Sequence, residues 1–302
     1  MRRFILGLAA LTLWEMSGTA RADLFTFSTG NPDGKIGMAS RPGPGPGGGP
    51  NQETEAADDF ITTASKTIIN HATFTGLVPA GVNLGTDIAQ LRVEIYRVFP
   101  KDSDVGRTSG APFFSTALVP TRVNSPSDVE FDDRDSATGK LTFTASALTS
   151  SFTAANSVDL GIHPKPNQFT GGDGPVTGQE VLFDVTFTTP FQLPADHYFF
   201  VPQVLLVNPD DHFLWLSAPK PIVAPGTPFA PDLQTWIRNA DLDPDWLRVG
   251  TDITNQGPFN GAFSLSGQAV PEPSTFALLG LGTLGLLGYQ WRRRRPVRSH
   301  WS

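Results

Sequence analysis

Short runs of alternating apolar and polar residues, separated by turns rich in glycine and proline, occupy the middle of this 302-residue chain. In the run from 91 to 95, Leu91, Val93 and Ile95 share one face at the two-residue spacing of a half-buried strand. Similar runs recur from residue 68 to residue 265, with no long apolar pattern of helical period between them. We therefore predict an all-β body, a jelly-roll-like β-sandwich.

The composition is compatible with a packed core and excludes several kinds of site. Hydrophobic residues make up 39% of the chain, enough for a sizeable core despite 30 Gly and 27 Pro. The absence of cysteine excludes a disulfide scaffold, a thiolate zinc site and a cysteine nucleophile. Residues 23–270 carry 14 Lys and Arg against 27 Asp and Glu, a net charge of −13. Such a body repels nucleic acid, so we expect no nucleic-acid partner.

The first 22 residues have the three parts of a secretory signal peptide. Arg2 and Arg3 precede an apolar stretch at 4–14, and Ala20 and Ala22 supply small residues at the cleavage site. We predict cleavage after Ala22 by signal peptidase, and therefore export through the inner membrane.

The C-terminus combines a rigid motif, an apolar stretch and a cationic end. Pro271-Glu272-Pro273 fixes an extended backbone, and residues 276–288 are almost entirely apolar. The basic end consists of Arg292, Arg293, Arg294 and Arg295. This order predicts a single transmembrane helix that holds the chain transiently, with its arginines on the cytoplasmic side. Its roughly 24 Å length falls short of a hydrocarbon core of about 30 Å, so arginine snorkelling or local thinning would have to cover the difference.

The segment from Val270 to Arg295, paired with an N-terminal signal, resembles the PEP-CTERM sorting signal of Gram-negative bacteria. The resemblance implies recognition by an exosortase, a membrane-embedded enzyme that cuts near Pro-Glu-Pro. It also implies a cell-surface or extracellular destination and a producer that builds an exopolysaccharide matrix. The resemblance covers the tail and says nothing about the activity of the body.

Four segments follow from these features. They are a signal peptide (1–22), an edge strand with a Gly/Pro-rich linker (23–57), a β-sandwich body (58–268) and the sorting signal (269–302). The linker assignment rests on the run of glycine and proline at 41–50, which has neither a helical nor a strand pattern.

Two acidic clusters suggest calcium, and each has an alternative explanation. The denser cluster contains Asp128, Glu130, Asp132, Asp133 and Asp135. Carboxylates at this spacing suit Ca²⁺, but a solvated acidic strand edge has the same pattern. The second cluster, Asp241, Asp243 and Asp245, begins like a calcium loop, but Trp246 stands where such a loop needs glycine. Asx-turns around Pro244 are the competing interpretation.

The body contains no familiar catalytic motif, neither a Gly-x-Ser-x-Gly nucleophile turn nor a phosphate-binding glycine loop. Asp196-His197 and Asp211-His212 form a repeated pair, for which strand-end hydrogen bonding competes with a catalytic or metal-binding role. We therefore predict that the protein is not an enzyme.

Three functions remain in order of preference. The first is a structural or adhesive protein of the cell surface or extracellular matrix. The second is a carbohydrate-binding module for exopolysaccharide, with Trp236 and Trp246 beside the acidic loop as the sugar contacts. The third is a secreted hydrolase, which needs two carboxylates facing each other across a cleft.

Overall fold

The computed structural model describes residues 22–43, 52–104, 119–159, 162, 170–270 and 275–293. Strands make up 50% of the structure and helices 7%, which confirms the all-β prediction. In chain order the strands are β1 (Asp23–Ser28), β2 (Ile36–Ala39), β3 (Thr54–Thr62), β4 (Lys66–Val78), β5 (Ile88–Arg97), β6 (Asp132–Asp135), β7 (Thr142–Ala154), β8 (Asn156–Val158), β9 (Val176–Leu193), β10 (Asp196–Leu206), β11 (Leu214–Ala218), β12 (Trp236–Asn239), β13 (Leu247–Arg248), β14 (Asn260–Gly261) and β15 (Phe263–Val270). A π-helical turn at Val249–Ile253 follows β13, and helix α1 spans Thr275–Arg293.

The strands form two open sheets. In the nine-stranded sheet the order β1-β15-β4-β11-β2-β8 is extended by β9 on β4, β7 on β9 and β14 on β11. The six-stranded sheet has the order β13-β12-β3-β10-β5-β6. The paired strands are antiparallel except β2 and β8, which are parallel. This predominance of antiparallel pairs is typical of sheets joined by short turns.

Aromatic side chains join the two sheets into a sandwich-like body. Phe200 of the six-stranded sheet stacks on Phe263 of the nine-stranded sheet, with ring centroids 4.8 Å apart. Within the nine-stranded sheet, Phe74 and Phe183 stack at 4.9 Å. All four rings are at most 2% exposed, so the alternating apolar positions of both sheets face a common core. The jelly-roll form of the connections stays a prediction.

The segment assigned to an edge strand and linker contributes three strands. The predicted edge strand is present as β1, which pairs with β15 from Asp23 to Ser28. β2 and the first residues of β3 also fall within 23–57, and Ile36 and Met38 are buried in the core. A four-residue strand is too short to show a period-two pattern beside a glycine-rich run. Residues 44–51 lie outside the described residues.

Both ends of the body meet at one edge of the nine-stranded sheet. The register of β1 against β15 places Asp23 opposite Ala269. Ala22, the predicted cleavage position, is the last residue before β1, and β15 ends at Val270, immediately before Pro271. The predicted signal-cleavage and sorting positions therefore flank the same pair of strands.

Helix α1 forms where the sequence predicts a helix, and its side chains from Gly282 to Trp291 are exposed. Among the residues that the structure describes, no helix is both long enough and apolar enough to cross a membrane. The predicted transmembrane helix is therefore not confirmed.

Candidate functional site

A cleft of about 300 Å³ opens on the face of the six-stranded sheet that points away from the shared core. Side chains alternate across this sheet, so Ile95 and Phe200 enter the core while Tyr96 and Phe199 join a separate cluster on the other face. That cluster also contains Trp236 and Trp246. The cleft is lined by Glu53, Glu55, Arg92, Glu94, Tyr96, Asp128, Val129, Glu130, Arg238, Ala240 and Asp243.

The floor of the cleft is a buried hydrogen-bonded cluster of four ionisable side chains. The guanidinium of Arg238 on β12 makes two contacts with the carboxylate of Glu55 on β3, one of them 3.2 Å from Nη2 to Oε1. The hydroxyl of Tyr96 on β5 lies 2.6 Å from Glu55 Oε1 and 2.9 Å from Glu94 Oε2, and it accepts a 2.9 Å hydrogen bond from Arg238 Nη2. Each of these residues is at most 5% exposed.

The two carboxyl groups on the floor have opposite pKa shifts. Burial raises the pKa of Glu55, but the charge and hydrogen bonds of Arg238 outweigh it, so the pKa of Glu55 is lowered. Burial and then the charge of Glu55 raise the pKa of Glu94 well above its ordinary value. Glu94 therefore keeps its proton to a higher pH than Glu55 does.

Arg238 is held in place by aromatic rings as well as by carboxylates. Its guanidinium lies 4.4 Å from the ring centroid of Trp246 and 5.2 Å from that of Tyr96. Trp246 in turn donates a 3.1 Å hydrogen bond from Nε1 to the carbonyl oxygen of Ser127. Although burial acts in the opposite direction, the charge of Glu55 raises the pKa of Arg238, which stays a cation. Ring, ionic and hydrogen-bond contacts therefore all act on this one guanidinium.

The wall of the cleft continues the pattern of paired charges. Arg92 Nη2 lies 2.7 Å from Glu94 Oε1, and Arg92 Nη1 lies 3.6 Å from Glu53 Oε1. Burial, followed by the charge of Glu55, raises the pKa of Glu53. Asp243 at the rim pairs with Arg238 at 2.8 Å. Both guanidinium groups of the cleft thus already have carboxylate partners, and the surface left toward solvent is rich in hydrogen-bond acceptors.

The predicted sugar contacts Trp236 and Trp246 are not on the surface. Both indoles are 0% exposed and belong to the cluster beneath the loops that cover this sheet face. Ser127, in the loop at 119–131, accepts a hydrogen bond from the indole of Trp246, a contact that strand alternation alone does not reveal. The expectation of exposed stacking faces is wrong for these two residues.

The structure separates the acidic side chains of the predicted calcium cluster. Asp128 and Glu130 line the cleft, whereas the other three acids point elsewhere. Asp128 pairs with the buried Arg122, Asp132 with Arg134, Asp133 with Lys140, and Asp135 accepts a hydrogen bond from Gln90. Within the described ranges no group of three or more His, Asp or Glu side chains is placed to hold a metal ion. The predicted ligands are therefore not brought together.

The second acidic cluster also distributes its carboxylates among arginines. Asp243 contacts Arg238, and Asp245 lies 3.3 Å from the buried Arg122. Asn239 Oδ1 accepts hydrogen bonds from the backbone N–H groups of Asp241 and Leu242, a local turn of the kind expected for Asx residues. The geometry favours the turn interpretation of this segment.

In both Asp-His dipeptides the imidazole contacts an aspartate other than its neighbour in sequence. His197 Nε2 lies 2.6 Å from Asp59 on the neighbouring strand β3, and His212 Nδ1 lies 2.5 Å from Asp159. Asp196 pairs instead with Lys101 at 2.6 Å. These contacts join adjacent segments of the fold, as the strand-end interpretation expects.

Sequence reasoning missed Glu55, Glu94, Tyr96 and Arg238 as site residues. Their signal was the presence of charged side chains inside otherwise apolar strand runs, at 54–57, 91–96 and 236–239. Of the predicted delivery residues, Ala20, Pro271, Glu272, Pro273, Arg294 and Arg295 lie outside the described residues. Arg292 and Arg293 form the end of α1.

Comparison with known proteins identifies the C-terminal segment. Residues 269–295 match the model of the PEP-CTERM protein-sorting motif. The chain therefore carries a PEP-CTERM sorting motif, and this motif implies export and recognition by an exosortase-like enzyme. No curated protein and no solved structure matches the chain.

Proposed function

We propose that this chain is a non-enzymatic structural or adhesive protein of the cell surface or extracellular matrix, delivered by an N-terminal signal and processed at Pro271-Glu272-Pro273. The observation that carries the proposal is the coincidence of the folded body with the two expected cuts. β1 begins one residue after Ala22, and β15 ends one residue before Pro271.

The pairing of β1 with β15 explains why removal of both ends is compatible with a stable body. Every residue of β1 has a partner in β15, and the opposite edge of β15 pairs with β4 from Lys66 to Phe74. Cleavage outside Asp23 and Val270 leaves these hydrogen bonds intact. The exposed side chains of α1 contribute nothing to the core that their release would remove.

Mass spectrometry of the exported form tests whether the chain is cleaved at the two predicted processing sites. We expect the wild-type product to begin at Asp23 and to lack Arg292–Arg295. Replacement of Pro271, Glu272 and Pro273 by alanine should leave the tail attached. Replacement of Pro209 and Asp210, in an exposed loop, is the matched control and should leave processing unchanged. An exported wild-type product that keeps its four C-terminal arginines would contradict the proposal.

The geometry of Glu55 and Glu94 supports a non-enzymatic role. Glycosidases generally keep their two carboxyl groups at least about 5 Å apart, with room for the substrate or a water molecule between them. Here both carboxyl groups contact the same phenol oxygen, and Glu55 also contacts Arg238. The hydrogen bonds of Glu55 and Glu94 described here are made to other side chains of the protein.

Carbohydrate binding at the cleft is a second candidate, favoured by its acceptor-rich lining and by its volume of about 300 Å³. Calorimetric titration with the producer's own exopolysaccharide tests it. Glu130→Ala at the exposed rim should weaken saturable binding, whereas Thr63→Ala at an exposed turn should not. Absence of saturable heat with the wild type would remove this candidate, and release of new reducing ends would instead support a hydrolase.

A further inference from the structure

The outer edge of β7 is a long strand edge without a partner among the described residues. β7 pairs with β9 on one side, and no hydrogen bond from another described strand reaches its other side. From Thr142 to Ala147 the register with β9 is regular, running from Thr142 opposite Thr186 to Ala147 opposite Val181. This six-residue segment, called here the β7 edge, presents a row of backbone donors and acceptors.

Among the other strands at the ends of the two sheets, β6, β8 and β13 carry devices by which proteins prevent edge pairing, whereas β1 has six residues with one charge at its start. β6 consists of four charged residues, Asp132 to Asp135. β8 and β13 have three and two residues, and β1 begins with Asp23. Short length and charge are the usual ways to make a strand edge a poor template. The β7 edge has neither device.

Charge sets the β7 edge apart from the rest of the surface. No residue between Lys140 and Asp159 carries a charge, whereas residues 23–270 together carry −13. The side chains of Thr144 and Ser146 are exposed on the sheet face, where Asp184 of the inner strand β9 lies opposite Thr144. Two copies of the body repel each other over most of their surfaces, and this repulsion is weakest where neutral Thr, Ser and Ala side chains meet.

We propose that the β7 edge pairs with the β7 edge of a second copy of this chain, antiparallel and about a two-fold axis. An isologous contact of this kind matches each segment with itself, so an uncharged segment meets an uncharged segment. Addition of a strand to an exposed edge satisfies the backbone groups without a pocket for particular side chains. The pair would join the nine-stranded sheets of two copies into one continuous sheet, whether or not the proposed matrix role holds.

Analytical ultracentrifugation of the exported chain, as released by the cells, tests the proposal over about a hundredfold range of concentration at about 0.15 M salt, which screens the repulsion between the two acidic bodies. We expect a concentration-dependent dimer for the wild type. Thr144→Lys with Ser146→Lys places like charges along the edge and should weaken dimerisation by about tenfold or more. The control, Thr63→Lys with Ser65→Lys, has the same charge and spacing in an exposed turn and should dimerise like the wild type.

Mixing two oppositely charged variants distinguishes charge repulsion at the edge from a loss of folding, because misfolded variants would not form a heterodimer. Thr144→Glu with Ser146→Glu should also be monomeric alone, but an equimolar mixture with the lysine variant should form a heterodimer. A wild type that stays monomeric throughout the range overturns the proposal. So does a lysine variant that dimerises like the wild type, or a mixture that stays monomeric.

Discussion

Replacement of Arg238 by methionine tests the buried cluster beneath the cleft most directly. The change removes the cation and keeps much of the apolar stem that lies against Trp246. Glu55 then remains buried with the phenol of Tyr96 but without its guanidinium partner. We expect the free energy of unfolding near neutral pH to fall by about 3–5 kcal/mol, the usual cost of removing one partner of a buried ion pair.

The size of this loss follows from the burial of Arg238, and a second arginine supplies the comparison. The side chain of Arg238 is 6% exposed and contacts Glu55, Asp243, Tyr96 and two carbonyl oxygens. Arg97 pairs with Asp102 in a bridge whose side chains are 27% and 25% exposed. Arg97→Met should therefore cost only about 0.2–1 kcal/mol.

Urea denaturation of a double-mutant cycle measures the interaction. Glu55→Gln with Arg238→Met should be less destabilised than the sum of the single variants, by about 1–3 kcal/mol, since the double variant leaves no buried charge unpaired. The difference in free energy of unfolding between the wild type and Arg238→Met should also become smaller as the pH falls below about 4.5, the ordinary pKa of a glutamate. The lowered pKa of Glu55 stabilises the wild type above that pH, and this stabilisation is lost as Glu55 takes up a proton. Additive single effects would refute the reasoning.

Two further predictions concern the raised pKa of Glu94 and the close packing of Gly267. Burial and the charge of Glu55 raise the pKa of Glu94 well above 4.5, so the folded protein holds a proton that the unfolded chain releases above that pH. Wild-type stability should therefore decline as the pH rises above about 4.5, and Glu94→Gln should show a shallower decline in urea titrations; equal slopes would contradict this. At Gly267, an added Cβ would lie 1.9 Å from the carbonyl oxygen of Ile68, so Gly267→Ala should lower stability by about 1–3 kcal/mol. Gly85→Ala, whose nearest contact is 3.4 Å away, is the control, and equal melting temperatures of the two variants would count against the close approach of Ile68 to Gly267.

The delivery segments and the fold class were open to sequence reasoning because both depend on residues close together in the chain. The tail matched by the sorting motif at 269–295 is one continuous segment. Strand alternation is equally local, since Leu91, Val93 and Ile95 are two positions apart and all become buried. Helix α1 likewise forms where apolar residues follow Ser274.

The cleft could not be predicted because its residues are distant in sequence. Glu55 and Arg238 are 183 positions apart, and they come together because β3 pairs with β12. The acidic run at 128–135 was misleading for a related reason, since a local pattern shows the charges but not the arginines and lysines that neutralise them.

The amino-acid sequence by itself determined that the chain carries a sorting motif and that its body is built from strands, because a sorting motif and strand alternation are both patterns of contiguous residues. Tertiary structure alone decided that Trp246 is buried beneath a loop, that Glu55 and Glu94 differ in pKa, and that β7 lies at the end of a sheet. Burial, ionisation and strand pairing depend on neighbours in space, and the order of strands in the two sheets selects those neighbours.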